Sequence, residues 1–221
     1  MSRTKITFRV FRCRAGEPGS ERYEESTLPV EEATTVLDVL ERLSRKDRTL
    51  MFRHSCHHGS CGTCACRING RERLACLTRV LDLDSRVVTI EPLNKLGRIG
   101  DLVVDPADFF REYPSHWQTL RPSEANPKAT PPQELSAYTR LENCIECGAC
   151  VSACPVEEFL GPAVLAGLNR ERLNRQDLEL AAGKRGVSKC QRALECSRVC
   201  PTAVYPARHI QELRRKLNKS S

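Results

Sequence analysis

The segment Cys56-His-His-Gly-Ser-Cys61-Gly-Thr-Cys64 has the spacing C-x4-C-x2-C, and a fourth cysteine follows in Leu74-Ala-Cys76. Three thiolates from one tight loop and one from a returning strand suit a plant-type 2Fe–2S cluster. Gly59 and Gly62 let the loop backbone approach the sulfides, and Asn69-Gly70 reads as the hairpin turn that brings Cys76 back to close the cage. A four-thiolate zinc site is the alternative, but its usual mark is two equal C-x2-C knuckles. A Rieske centre would start from Cys56-x-His58, and it lacks the second arm. His54, His57 and His58 read as exposed loop residues beside the cluster.

Further along, Cys144-Ile-Glu-Cys147-Gly-Ala-Cys150-Val-Ser-Ala-Cys154-Pro155 is the bacterial ferredoxin run C-x2-C-x2-C-x3-C-P, whose fourth cysteine ligates the other cluster. The same frame fits Cys190 to Pro201, with Cys196 and Cys200, except that Ala193 stands where the second cysteine belongs. Crossing the fourth ligands gives a 4Fe–4S cluster on Cys144, Cys147, Cys150 and Cys200. The remaining centre has Cys154, Cys190 and Cys196 only. A cubane with three thiolates tends to lose its unligated iron, so a 3Fe–4S cluster is expected there. Cys13 and Cys66 are left over as small buried side chains. Metal means iron held by these eleven cysteines, and no side chain is expected to act as acid, base or nucleophile.

Composition agrees with that reading. Of 221 residues 13 are cysteines, far more than chance supplies, and a reducing cytosol disfavours disulfides. The N-terminus shows no secretory h-region, and the longest weakly polar run, 159–168, is half a membrane span and is broken by Gly161, Pro162 and Gly167. An apolar content of 40% predicts one large or two small globular domains. The formal charge of +7 hints at nucleic acid, but the charges are interspersed and aromatics are only 5%, too few for a stacking platform. Three oxidised clusters at roughly −2 each would bring the loaded protein near neutrality.

Elements must position these thiols. Ile6 to Phe11, Tyr23 to Val30 and Val87 to Ile90 read as strands, and Thr35 with Asp38 caps a helix carrying Val36, Leu40 and Leu43. Asp105-Pro106 starts a short helix ending near Tyr113. Five of the thirteen prolines fall in 113–133, an extended connection. Beyond it, Gly161 to Leu168, Arg170 to Ala182 and Pro206 to Leu217 read as helices, the last basic on its outer face. The domains expected are 1–104, a connection over 105–136, and a helical domain over 137–221.

With these motifs in this order, nearly the whole chain resembles the iron–sulfur subunit of the complex II family, succinate dehydrogenase and fumarate reductase. Arg53-His-Ser-Cys56, Ile68-Asn-Gly70, Leu74-Ala-Cys76, Gly100-Asp-Leu-Val-Val-Asp105 and Leu160-Gly-Pro-Ala163 are similar to that family's recurring segments. The resemblance implies an α+β chain: an N-terminal β-grasp 2Fe–2S ferredoxin-like domain followed by an all-α helical ferredoxin domain. It implies a FAD-containing flavoprotein partner that oxidises succinate or reduces fumarate, and a membrane anchor that hosts quinone, with or without haem. Electrons would pass through the two-, four- and three-iron clusters in that order, or back. It further implies a peripheral position on the cytoplasmic face of the inner (plasma) membrane, held by partner subunits. No nucleic-acid partner and no transmembrane segment of its own are expected.

The chain departs from the family's ubiquinone-site pattern. Phe159 stands where the Trp after the Cys-Pro is expected, Gln191 where a His follows the next cysteine, and Thr202-Ala203 where a basic residue follows the last Cys-Pro. The only tryptophan, Trp117, lies in the connection, and the loop from Cys154 to Cys190 is short for the family. Menaquinone, a site within the anchor, or another acceptor are equal alternatives to ubiquinone. The direction, succinate oxidation or fumarate reduction, is not legible, since both use the same clusters. A second reading is the iron–sulfur partner of another flavoprotein, such as a thiol-dependent fumarate reductase, although such partners tend to carry further cysteine-rich segments. A third is a zinc-stabilised nucleic-acid binder.

Overall fold

The structure, a computed structural model, describes residues 4–14, 16, 17, 19–114, 143–170 and 175–219. Most of the expected connection, with Trp117, and residues 171–174 of the helix expected from Arg170 lie outside them. The chain divides into two compact units that alternate along the sequence. The first comprises Met1–Phe109, Ile145–Ala153 and Val199–Pro201, and the second Phe110–Cys144, Cys154–Arg198 and Thr202–Ser221.

In the first unit, β1 (Thr4–Arg12) buries Ile6, Phe8 and Val10, because side chains alternate across a strand. β2 (Arg22–Val30) pairs with it antiparallel, Phe8 opposite Ser26. α1 (Val36–Lys46) starts at a capping box: the Asp38 N–H donates to Thr35 Oγ1 at 3.1 Å and the Thr35 N–H donates to Asp38 Oδ2 at 2.8 Å. Its apolar face, Val36, Leu37, Val39, Leu40 and Leu43, joins the sheet's core. β3 (Ala65–Ile68) and β4 (Arg71–Leu74) form a hairpin through Asn69 and Gly70, whose φ values of +49° and +75° are those a tight two-residue turn requires. β5 (Val87–Glu91) runs parallel to β1 and antiparallel to β3, so the strand order is β2-β1-β5-β3-β4. A mixed five-stranded sheet curled around one helix is the expected β-grasp architecture.

A second hairpin, β6 (Arg98–Gly100) with β7 (Val103–Val104), escapes periodicity because its strands are too short. Its turn supplies Asp101, which accepts from Arg12 Nε at 3.2 Å, the Cys13 N–H at 2.8 Å and the Met51 N–H at 2.8 Å. Arg12 is only 4% exposed and also donates to Asp47 and Thr49. This paired network fixes the segment that leads into the Cys56 loop.

α2 (Ala107–Phe110) is shorter than the helix expected to reach Tyr113, which continues only as a turn to Phe110. Pro114 disfavours a helical conformation in the residue before it. α3 (Ala149–Ser152) belongs to the first unit. The second unit contains α4 (Pro162–Arg170), α5 (Arg175–Ala182), α6 (Glu195–Arg198) and α7 (Pro206–Lys219), and no strand among its described residues. Its core is Leu160, Val164, Leu165, Leu168, Ala181, Val187, Ile210 and Leu213. α7 presents Ile210, Leu213 and Leu217 to that core from one face, as its spacing predicts.

Candidate iron–sulfur sites

The loop between α1 and β3 holds the first set of thiols. The Ser60 and Cys61 N–H groups both donate to Cys56 Sγ at 3.3 Å. With a main-chain hydrogen bond from His58 as the largest cause, they bring the Cys56 thiol down to about 5. Cys61 Sγ lies 3.2 Å from Thr63 Oγ1 and hydrogen-bonds with the Cys56 sulfur. Cys64 and Cys76 are buried on either side of the hairpin, where the Ala75 N–H donates to the Cys64 carbonyl at 3.1 Å. Burial pushes the Cys76 thiol up to about 12, aided by the adjoining Cys64 and then Cys56. The structure therefore brings Cys56, Cys61, Cys64 and Cys76 to one place, where main-chain donors favour the thiolate at Cys56 and burial disfavours it at Cys76.

The donor set fits a cluster better than a single ion. One tetrahedral zinc holds its thiolates about 3.8 Å apart. Among the described residues no three cysteine sulfurs gather within 4.8 Å of one another. A cage around several irons and sulfides is wider than that. No disulfide competes, since every cysteine is a free thiol.

Gly62, at φ +73°, marks where this loop meets the next one. A Cβ there would stand 2.6 Å from the Ile145 carbonyl oxygen and 2.9 Å from Cys147 Cβ. The Cys147 segment is held inside the first unit by Ser152, whose Oγ donates to the buried Glu72 carboxylate at 2.7 Å and accepts the Asn94 N–H at 2.8 Å. Cys147, Cys150 and Cys200 all belong to this unit, whereas Cys144 belongs to the second. Glu72 and Ser152 are 80 positions apart, so no local pattern marks them.

Cys154, Cys190 and Cys196 all lie in the second unit. Cys196 is buried, and burial first, then the neighbouring Cys154 and Cys190, raise its thiol to about 11. Arg214 on α7 donates to the carbonyls of Val187 and Cys190, the latter at 3.2 Å, and so positions Cys190. Sequence reasoning missed this role, because Arg214 looks like one more cation on a basic helix. Ala193 is exposed. Beside Cys190 opens a mostly apolar cavity of about 590 Å³, with Leu194, Tyr205, Ile210 and Arg214 in its wall. Cys13 and Cys66 are buried, and burial pushes the Cys66 thiol up.

A β-grasp sheet with three cysteines in one loop and a fourth beyond the next hairpin, joined to ferredoxin-type cysteine runs, defines a multi-cluster iron–sulfur protein. Residues 7–111 match the family described as 2Fe-2S iron-sulfur cluster binding domain, and residues 136–207 match the 4Fe-4S dicluster domain. The chain is 35% identical to the fumarate reductase iron–sulfur subunit of Mycobacterium tuberculosis, over 94% of this chain and 90% of that one. It is 34% identical to the succinate dehydrogenase (ubiquinone) iron–sulfur subunit 1, mitochondrial, of Oryza sativa subsp. japonica, over 81% of this chain and 70% of the relative. A chain of the Mycobacterium smegmatis Sdh1 complex in the apo form matches with a TM-score of 0.82 and 26% identity, covering 100% and 98% of the two chains. The chain belongs to the family of succinate dehydrogenase and fumarate reductase iron–sulfur subunits. It thus has 2Fe–2S and 4Fe–4S binding domains, and a 3Fe–4S centre is a feature of the family.

Proposed function

We propose that this chain is the electron-transfer subunit of a succinate:quinone oxidoreductase or fumarate reductase, relaying electrons between the FAD of a flavoprotein subunit and quinone at a membrane anchor. The observation that carries this reading is the contact of Gly62 with Ile145 and Cys147. It sets the loop of one expected cluster directly against the loop of the next, and electron tunnelling falls steeply with distance. In this reading Cys56, Cys61, Cys64 and Cys76 hold the 2Fe–2S cluster, Cys144, Cys147, Cys150 and Cys200 the 4Fe–4S, and Cys154, Cys190 and Cys196 the 3Fe–4S. The domains proposed remain 1–104 and 137–221 with 105–136 between them.

When bound, the clusters supply one-electron transfer without proton chemistry. The chain's own residues supply the rest. Main-chain N–H donors at Cys56 disperse negative charge on its sulfur, which favours the reduced state. Burial of Cys64 and Cys76 keeps water from their sulfurs. Arg214 fixes the backbone of Cys190. The cavity beside Cys190, apolar with Tyr205 and arginines at its wall, suits a quinone ring or an apolar segment of the anchor. The basic face of α7 suits anionic headgroups. No helix among the described residues is long and apolar enough to cross a membrane, so the proposed peripheral position on the cytoplasmic face rests on partner subunits.

Ala193→Cys tests the ligand assignment. Reconstituted wild-type protein should show the oxidised three-iron EPR signal, and the added thiol, at an exposed position, should convert that centre to 4Fe–4S and abolish the signal. A wild type without the signal, or a variant that keeps it, would sink the assignment. Copurification of a FAD protein and an integral membrane protein, with assays of ubiquinone and menaquinone, tests the partners and the acceptor.

A further inference from the structure

His54, His57 and Glu41 form a cluster that the relay leaves unused. His54 Nδ1 lies 3.1 Å from His57 Nε2, and Glu41 Oε1 lies 3.7 Å from the first and 3.6 Å from the second. They form a three-sided cup of two imidazole nitrogens and one carboxylate oxygen, and among the described residues it is the only trio of such ligand atoms within 4.8 Å. Ligands at about 2.0–2.1 Å from one ion stand roughly 3.0 Å apart at right angles and roughly 3.4 Å apart at a tetrahedral angle. The observed separations are close to those of a bound divalent cation without rearrangement of the backbone.

Each donor is held in place by the fold. Glu41 projects from α1 and is half-buried. The His54 ring stacks on Phe52 with centroids 5.2 Å apart and planes at 18°, and the His57 ring meets it edge-on at 5.1 Å. His57 sits at φ +61°, a conformation uncommon for a side-chain-bearing residue. The two histidines are exposed, so an ion can reach them from solvent and keep a water in its open position. His58 takes no part: its ring is engaged by the Cys56 carbonyl and by Ser60 Oγ.

We propose that Glu41, His54 and His57 form a binding site for a divalent transition-metal ion such as Zn²⁺, separate from the iron clusters and adjoining Cys56. His57 is bonded directly to Cys56, so the ion's charge falls next to the first cluster and favours its reduced state. This second part rests on the assignment of a 2Fe–2S cluster to Cys56; the cation site itself does not.

The test uses the iron-loaded chain and Zn²⁺ alone. Calorimetric titration should show one site, while absorbance of the clusters and iron content stay unchanged. Glu41→Gln and His57→Asn, the latter chosen because Asn tolerates positive φ, should each weaken binding by at least the roughly 10–100-fold that loss of an outer ligand partner costs. Unchanged cluster absorbance in both variants shows that they fold. Redox titration with saturating Zn²⁺ should raise the midpoint potential of the 2Fe–2S cluster in the wild type and not in the variants. No binding, binding equal in all three proteins, or uptake matched by iron release overturns the site. Binding without a shift in potential overturns the coupling.

Discussion

The two units reach stability by different routes. In the first, Phe8, Leu37, Leu40, Ile68 and Ile90 are among the most buried side chains, drawn from three strands and a helix into one core. Each such burial contributes roughly 1.5–3 kcal/mol, and the sheet satisfies its own backbone groups. The thiols of Cys64 and Cys76 are positioned by that framework. In the second unit the described residues form a core of eight, built by α4, α5, α7 and the segments beside them. With a smaller core among the described residues, the proposed ligation would add to what packing supplies. The contrast is between a fold that offers a metal site and a metal site that completes a fold.

Iron removal should break the two apart most visibly. Chelation under anaerobic conditions should abolish hydrogen-exchange protection in α4 and α7 while β1 and β5 of the sheet stay protected. Uniform loss of protection, or uniform retention, would erase the distinction. One core leucine in each unit gives the next largest effect. Leu40→Ala and Leu213→Ala both empty a buried site, at 2% and 0% exposure, and each should cost about 2–5 kcal/mol. The consequences should differ: Leu213→Ala should lose iron with stability, because folding and ligation are linked there, whereas Leu40→Ala should melt earlier with its 2Fe–2S absorbance intact below the transition.

What the sequence makes legible follows the same division. β1, β2 and β5 show period two, Thr35 and Asp38 announce α1, and Asn69-Gly70 announces the hairpin, because each depends on neighbours in the chain. The cysteine runs are legible for the same reason, three of four thiols in each full set being local. Long-range pairings are not. Glu72 with Ser152, Arg12 with Asp101, and Arg214 with the carbonyl of Cys190 join residues that only the folded chain brings together. Nor does local pattern show Glu41 beneath His54 and His57: a glutamate on an amphipathic helix looks like a solvated face until the loop is placed over it.

Gly62→Ala sharpens the comparison inside the first unit. The added methyl would meet the Ile145 carbonyl oxygen at 2.6 Å at a φ of +73°, so backbone must move, at a cost of about 1–3 kcal/mol. Gly70, at φ +75°, has open space at its Cβ position, and Gly70→Ala should cost about 1 kcal/mol from conformation alone. Thermal melts measure both costs. Freeze-quench reduction should slow transfer from the 2Fe–2S to the 4Fe–4S cluster only in Gly62→Ala. Equal costs and equal rates would mean that the loop contact does not set cluster spacing.

The smallest effect is a matter of protons, and it separates the units before any iron binds. Main-chain donors hold the Cys56 thiol at about 5, below the ordinary thiol value near 8.5. The folded chain therefore releases this proton at a lower pH than the unfolded chain. The stabilisation is fully present above about 8.5, declines as pH falls through that window, and is gone below about 5. Cys196 in the second unit is displaced the other way, to about 11 by burial. Iron-free protein treated briefly with iodoacetamide near neutral pH should be alkylated at Cys56 well before Cys196, with the Cys56 rate falling as pH drops toward about 5. Peptide mapping by mass spectrometry reads both rates. Equal labelling would show that the first loop does not prepare its thiolate in advance of the metal.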